Sequence, residues 1–134
     1  MLLLDSEALS AVARGPRQRR DRVRALVAEM QGRGLPVATV ASVLAEVIRG
    51  RPDDAGVFSG MRRERVEVHA VDSRVGVRAG RLLGRIGAGS EMAVDAFTVA
   101  VADLAGGAII ATSDPGDMER LGAHATRVTV ADIG

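Results

Sequence analysis

Five carboxylates could do chemistry together. Asp5 closes the run Leu2-Leu3-Leu4, and Asp114 follows the apolar segment Ala108–Thr112. Both runs read as buried strands, and ligands of an open parallel sheet bind beyond the carboxyl ends of its strands. Each aspartate also suits a helix cap, since a helical segment follows both. Asp95 lies within residues 90–105, where apolar side chains point in every direction and no arginine occurs. A charge in such a buried helix is costly unless it is paired or bound to a metal. The competing explanation is a first-turn acid favoured by the helix dipole. Glu46 flanks an apolar helical stripe one turn beyond Ser42, a place where surface charges are common. Asp117, three residues after Asp114, is either a second metal ligand or a helix-start charge. Asp103 shares the segment of Asp95 but sits near its end, where the dipole disfavours an acid, and no role is evident for it.

Acids that converge need help to stay ionised. At ~4 Å and an effective dielectric of about 20, each pair repels by about 4 kcal/mol. A hard divalent cation removes the problem, and an oxygen-only site suits Mg²⁺ or Mn²⁺ better than zinc. Such an ion activates water and stabilises charge on a phosphoryl group.

The composition narrows the alternatives. The 134 residues, 47% of them apolar, read as one domain spanning 1–134 with enough chain for a real core. Phe58 and Phe97 are the only aromatics, so the core must be aliphatic. The absence of cysteine removes disulfides, thiolate metal sites and cysteine nucleophiles. Two histidines are too few for a histidine-rich metal site. All 18 basic residues are arginine, so lysine-dependent phosphate loops, receiver switches and Schiff-base chemistry are excluded. The N-terminus lacks a basic leader and no stretch approaches a membrane span, which predicts a cytoplasmic protein. The net charge of +1 hides a run of Arg14, Arg17, Arg19, Arg20, Arg22 and Arg24, and a cluster of Arg62, Arg63 and Arg65. These are solvated helix faces or surfaces that neutralise nucleic-acid phosphates.

The elements that would position these residues alternate along the chain. Strands are expected at 2–4, 35–40, 66–71, 108–112 and 127–130. Helices are expected at 6–13 and 17–31, from a Ser42 cap through Ile48, and at 53–63, 73–86, 90–105 and 115–122. Alternation of this kind argues for an α/β fold with a mostly parallel sheet covered on both faces. The apolar helices, 73–86 among them, exceed what one small core can hold and leave a candidate contact surface.

In their order along the chain these residues resemble the PIN domain, and within it the VapC-type toxins. The matching segments are Leu3-Leu4-Asp5-Ser6-Glu7-Ala8-Leu9, Ser42-Val43-Leu44-Ala45-Glu46-Val47, Val94-Asp95-Ala96-Phe97 and Thr112-Ser113-Asp114-Pro115-Gly116-Asp117. Many members carry an aromatic after the last acidic pair, where this chain has Met118. The resemblance implies a three-layer α/β/α fold around a five-stranded sheet and Mg²⁺- or Mn²⁺-dependent endonucleolytic cleavage of RNA. Asp5, Glu46, Asp95 and Asp114 carry over as the catalytic quartet. Asp5, Asp95, Asp114 and the auxiliary Asp117 are the expected metal ligands, with Glu46 reaching the ion through water. Ser6 and Thr112 match auxiliary hydroxyl residues. Arg14, Arg17, Arg19 and Arg20 are the expected RNA contacts. Implied partners are a VapB-type antitoxin, a structured RNA such as tRNA or rRNA, and a second copy of the chain in a homodimer. Two alternatives stand beside this reading: a metal-dependent phosphohydrolase acting on small substrates, and a catalytically degenerate PIN binding module. All three require, or once required, carboxylates from four distant segments to share one pocket.

Overall fold

Three leucines cannot be left in water, and in the fold they form the central strand. A computed structural model describes all 134 residues. Its strands are β1 (Leu2–Leu4), β2 (Val37–Val40), β3 (Glu67–His69), β4 (Ala108–Thr112) and β5 (Val128–Asp132). The helices are α1 (Ser6–Ser10), α2 (Arg17–Gly32), α3 (Ala41–Val47), α4 (Asp54–Arg63), α5 (Ser73–Ile86), α6 (Ala93–Leu104) and α7 (Pro115–Gly122), with a 3₁₀ turn at Ser90–Met92 leading into α6. The sheet order is β3-β2-β1-β4-β5, and every neighbouring pair is parallel. The chain therefore winds outward from β1 to β2 and β3, crosses back, and winds the other way through β4 and β5. The direction reverses between β1 and β4. One outer layer holds α1 against α2, α3 and α4, and the other holds α5, α6 and α7 packed together. The expected three-layer α/β/α architecture is present, and its five-stranded sheet is wholly parallel.

Leu2, Leu3 and Leu4 are fully buried, with β2 on one side and β4 on the other. Each contributes about 1.5–3 kcal/mol of burial. No aromatic side chain is fully buried, so the core is aliphatic as composition requires. On α6, Ala96, Thr98, Val99, Ala100, Val101 and Ala102 are buried, as its all-round apolar character predicts. No helix is long and apolar enough to cross a membrane.

Several boundaries shift from the sequence reading, three of them for a visible physical reason. The alternating stretch 66–71 pairs only over Glu67–His69, because β3 is an edge strand and its single neighbour offers just Ala38–Val40. Its exposed Glu67 and Val68 show how little of it the core needs. The first helix stops at Ser10, and the chain turns through Ala11–Ala13 so that Gly60 of α4 can pack on Val12. Ser42 does not cap α3. The helix begins directly at the end of β2 with Val40 in the cap position, which leaves the Ser42 hydroxyl inside the first turn, buried and without a partner.

Candidate active site

The reversal between β1 and β4 opens a crevice at the carboxyl ends of those two strands. Asp5 stands at its floor. Its N–H donates to the Ala111 carbonyl of β4 at 3.2 Å, and its Oδ1 accepts from the Ala8 N–H at 2.9 Å as the cap of α1. Capping thus occupies one oxygen without moving the carboxylate off the strand end. Asp5 is buried, and burial pushes its carboxyl above the usual range. The Thr112 hydroxyl and the Ala8 N–H pull it back, while Glu7 and Glu46 push it further up.

Thr112, the last residue of β4, stands between two acids. Its hydroxyl accepts from the Asp114 N–H at 3.1 Å and lies near enough to Asp5 to favour that carboxylate. Asp114 occupies the cap position of α7, but its side chain makes no capping bond, so the capping explanation fails for it. The carboxylate is exposed at the crevice mouth. Asp117, half-buried in the first turn of α7, meets Arg120 at 3.5 Å in a partly exposed i, i+3 pair. Ser6 opens α1 beside Asp5 and is half-buried.

Two helices bring the remaining acids. α6 leads into β4, so its first turn returns to the edge where the strands end, and Asp95 lies in that turn. α3 leaves β2 at the same edge and carries Glu46, exposed. The Asp95 carboxyl is held at about 6, first by burial and then by the charges of Asp5, Glu46, Asp117 and Asp114. Carboxylates from four separate segments therefore act on one another at one edge. Asp5, Glu46, Asp95 and Asp114 have no arginine within ion-pairing distance. As the side chains stand, no three acids or histidines converge closely enough to grip one ion directly. Mg²⁺ does not demand that. It binds through one or two carboxylates and keeps several waters, so an oxygen-only, uncompensated acid group fits it.

The remaining singled-out residues divide. Arg14 donates to Asp53 at 2.6 Å and to the Val47 carbonyl at 3.0 Å. Arg19 donates to Glu7 at 2.7 Å and to the Gly134 carbonyl at 2.8 Å. Both tie segments together. The Arg20 Nε is buried without a partner, while Arg17, 3.9 Å from Asp21, is exposed, as are Arg22 and Arg24 further along α2. Asp103, which had no assigned role, holds Arg78 of α5 at 2.5 Å and accepts from the Thr126 N–H at 2.6 Å. Asp54 went unremarked in the sequence. It is buried and accepts from the backbone N–H groups of Arg49, Gly50 and Arg51, closing the turn before α4. Both are structural acids, and only long-range or turn geometry reveals them.

No protein-family model and no curated protein sequence matches the chain. Solved structures do. A chain of DNA-bound VapBC from Salmonella typhimurium superposes with a TM-score of 0.64 at 17% identity, covering 96% of both chains. A chain of VapBC2 from Rickettsia felis, bound to a DNA fragment from its promoter, gives 0.61 at 15% identity and 98% coverage of both. At these identities the likeness establishes a shared fold over nearly the whole length.

Proposed function

We propose that this chain is the VapC-type toxin of a VapBC-like toxin–antitoxin pair and acts as a metal-dependent endoribonuclease. The carrying observation is that Asp95, whose carboxyl is raised by burial first and by four other carboxylates second, meets them at the topological switch point with no arginine to offset them. The end-to-end likeness to chains of two VapBC structures supports the toxin reading. Asp5, Asp95, Asp114 and Asp117 would hold Mg²⁺ or Mn²⁺, one or two of them directly and the others, with Glu46, through the ion's own waters. When bound, the cation supplies positive charge to the phosphoryl oxygens and acidifies water.

The chain's own residues supply position. The Ala8 N–H fixes Asp5, and the Thr112 hydroxyl, beside Asp5, fixes the turn into Asp114. Hydrolysis forms a P–O bond to water and breaks the P–O bond to the leaving ribose oxygen. The proton of water passes to the carboxylate group, so no protein nucleophile is required.

The test is cleavage of structured RNA, including tRNA and rRNA, with Mg²⁺, with Mn²⁺ and with chelator. Cleavage that needs the ion and disappears in Asp95→Asn supports the reading. Activity surviving both, or turnover of a chromogenic phosphate ester without RNA cleavage, overturns it. The partner part predicts co-purification with a small antitoxin encoded beside this chain and a homodimer of the toxin. A monomer that captures no such protein would overturn that part.

A further inference from the structure

Arg74, Arg78, Arg81 and Arg85 stand at positions i, i+4, i+7 and i+11 of α5 and so share one face of it. The adjoining face buries Val75, Ala79 and Leu82 against the fold. Arg78 is pinned, donating to Asp103 at 2.5 Å and to the His124 carbonyl at 2.8 Å. Arg74, Arg81 and Arg85 are exposed and have no ion-pair partner. An open groove of about 650 Å³ runs between this stripe and the end of α7, lined by Arg78, Arg81, Arg85 and His124. A second groove of about 350 Å³ lies beside Arg74, Arg78 and Arg81, with the exposed Val77 and Leu104 also lining it. The eight residues of α7 start beside Asp114 and end at the larger groove. At 1.5 Å per residue that is ~12 Å from acids to arginines.

The lining selects the occupant. Ala123 is the one apolar residue of the larger groove, whereas a docked protein segment needs an apolar core to its interface. A row of unpaired guanidinium groups is what a phosphodiester backbone requires. We infer that this face of α5 is the track for the sugar-phosphate backbone of an RNA strand leaving the acidic crevice. The identification of the strand as RNA rests on the nuclease reading above.

The test is binding of labelled polyuridylate to the protein in chelator, by fluorescence anisotropy, across a salt series. In R74A/R81A/R85A the slope of log K against log salt should shrink by about 2, three phosphates at about 0.7 each. Between about 50 and 200 mM salt, wild type should then lose roughly 16-fold more affinity than the variant. R74K/R81K/R85K should keep the wild-type slope, and R81A alone should lower it by about 0.7, which covers a triple variant that folds poorly. An unchanged slope overturns the inference, as does displacement of the RNA by polyglutamate at equal charge. If the slope falls but no RNA is ever cleaved, the track stands and the nuclease reading fails. If RNA is cleaved and the slope holds, the track alone fails.

Discussion

Replacing Asp95 by asparagine should make the metal-free protein more stable near neutral pH. The Asp95 carboxyl is held at about 6 against an ordinary 3.8, by burial first and by neighbouring carboxylates second. A raised acid binds more protons folded than unfolded, so ionising it costs folded stability. That cost is complete above about 6, shrinks as pH falls through 6, and is gone below 3.8. A displacement of that size corresponds to about 3 kcal/mol. Asp95 is only half-buried, and solvent screening reduces the figure to about 1–2 kcal/mol. Asparagine has nearly the same shape and is neutral at every pH, so it removes the cost and little else.

Thermal unfolding of both proteins in chelator reads this directly. At about pH 7.5 the variant should melt roughly 4–8 °C higher, since 1 kcal/mol moves Tm by about 4 °C in a domain of this size. Near pH 4 the difference should have mostly closed. A variant that melts lower at neutral pH would refute the reasoning, because it would mean that Asp95 is satisfied by a partner rather than opposed by its neighbours. A gap of the same size at both pH values would refute it too, since only a titrating group gives a gap that closes.

Mg²⁺ or Mn²⁺ at about a hundred times its dissociation constant should stabilise wild type by about 2.7 kcal/mol and Asp95→Asn by much less, measured in the same melts. Thr112→Val removes the hydroxyl that accepts from the Asp114 N–H and favours the nearby Asp5 carboxylate, so RNA cleavage should fall roughly 10–100-fold while the far-UV spectrum is kept. Asp103→Ala should destabilise by about 1–3 kcal/mol in denaturant titration, because it releases both Arg78 and the Thr126 N–H. Burial raises the Asp103 carboxyl, but the Thr126 N–H and Arg78 outweigh it and hold the group below its usual 3.8. Its stabilisation is therefore full above 3.8 and lost as pH falls through the lowered value. Gly60→Ala would place a Cβ 2.8 Å from Val12 Cγ2 and 3.0 Å from the Val12 carbonyl, so it should cost about 1–3 kcal/mol in the same titration.

What could be read in the sequence, and what could not, follows from the range of the forces involved. β1 was legible because a central strand covered on both faces must be apolar at every position, and Leu2-Leu3-Leu4 is. Asp5 and Asp114 were legible because the end of a strand is also an end of the apolar run, and chain order then places both at the same edge. Glu46 had no local mark, since an exposed carboxylate on α3 looks like any other surface charge. Nor does the arginine run near α2 show locally which of its charges are already engaged within the fold. Arg14 spends its charge on Asp53, 39 residues away, and Arg19 reaches Gly134, 115 residues away. The spacing of the α5 arginines is plain in the sequence, but spacing alone does not tell the pinned Arg78 from the unpaired Arg74, Arg81 and Arg85. Asp95 and Asp103 make the point most sharply. Both are acids on α6, separated by two turns, amid the same alanines and valines. One meets an arginine and an N–H and becomes a structural tie. The other meets only carboxylates and is left with a charge that nothing in the chain offsets. Periodicity along a helix cannot separate the two, because what distinguishes them is the set of partners that the sheet order brings from far away in the chain. The unrelieved acid is the one on which the functional reading rests.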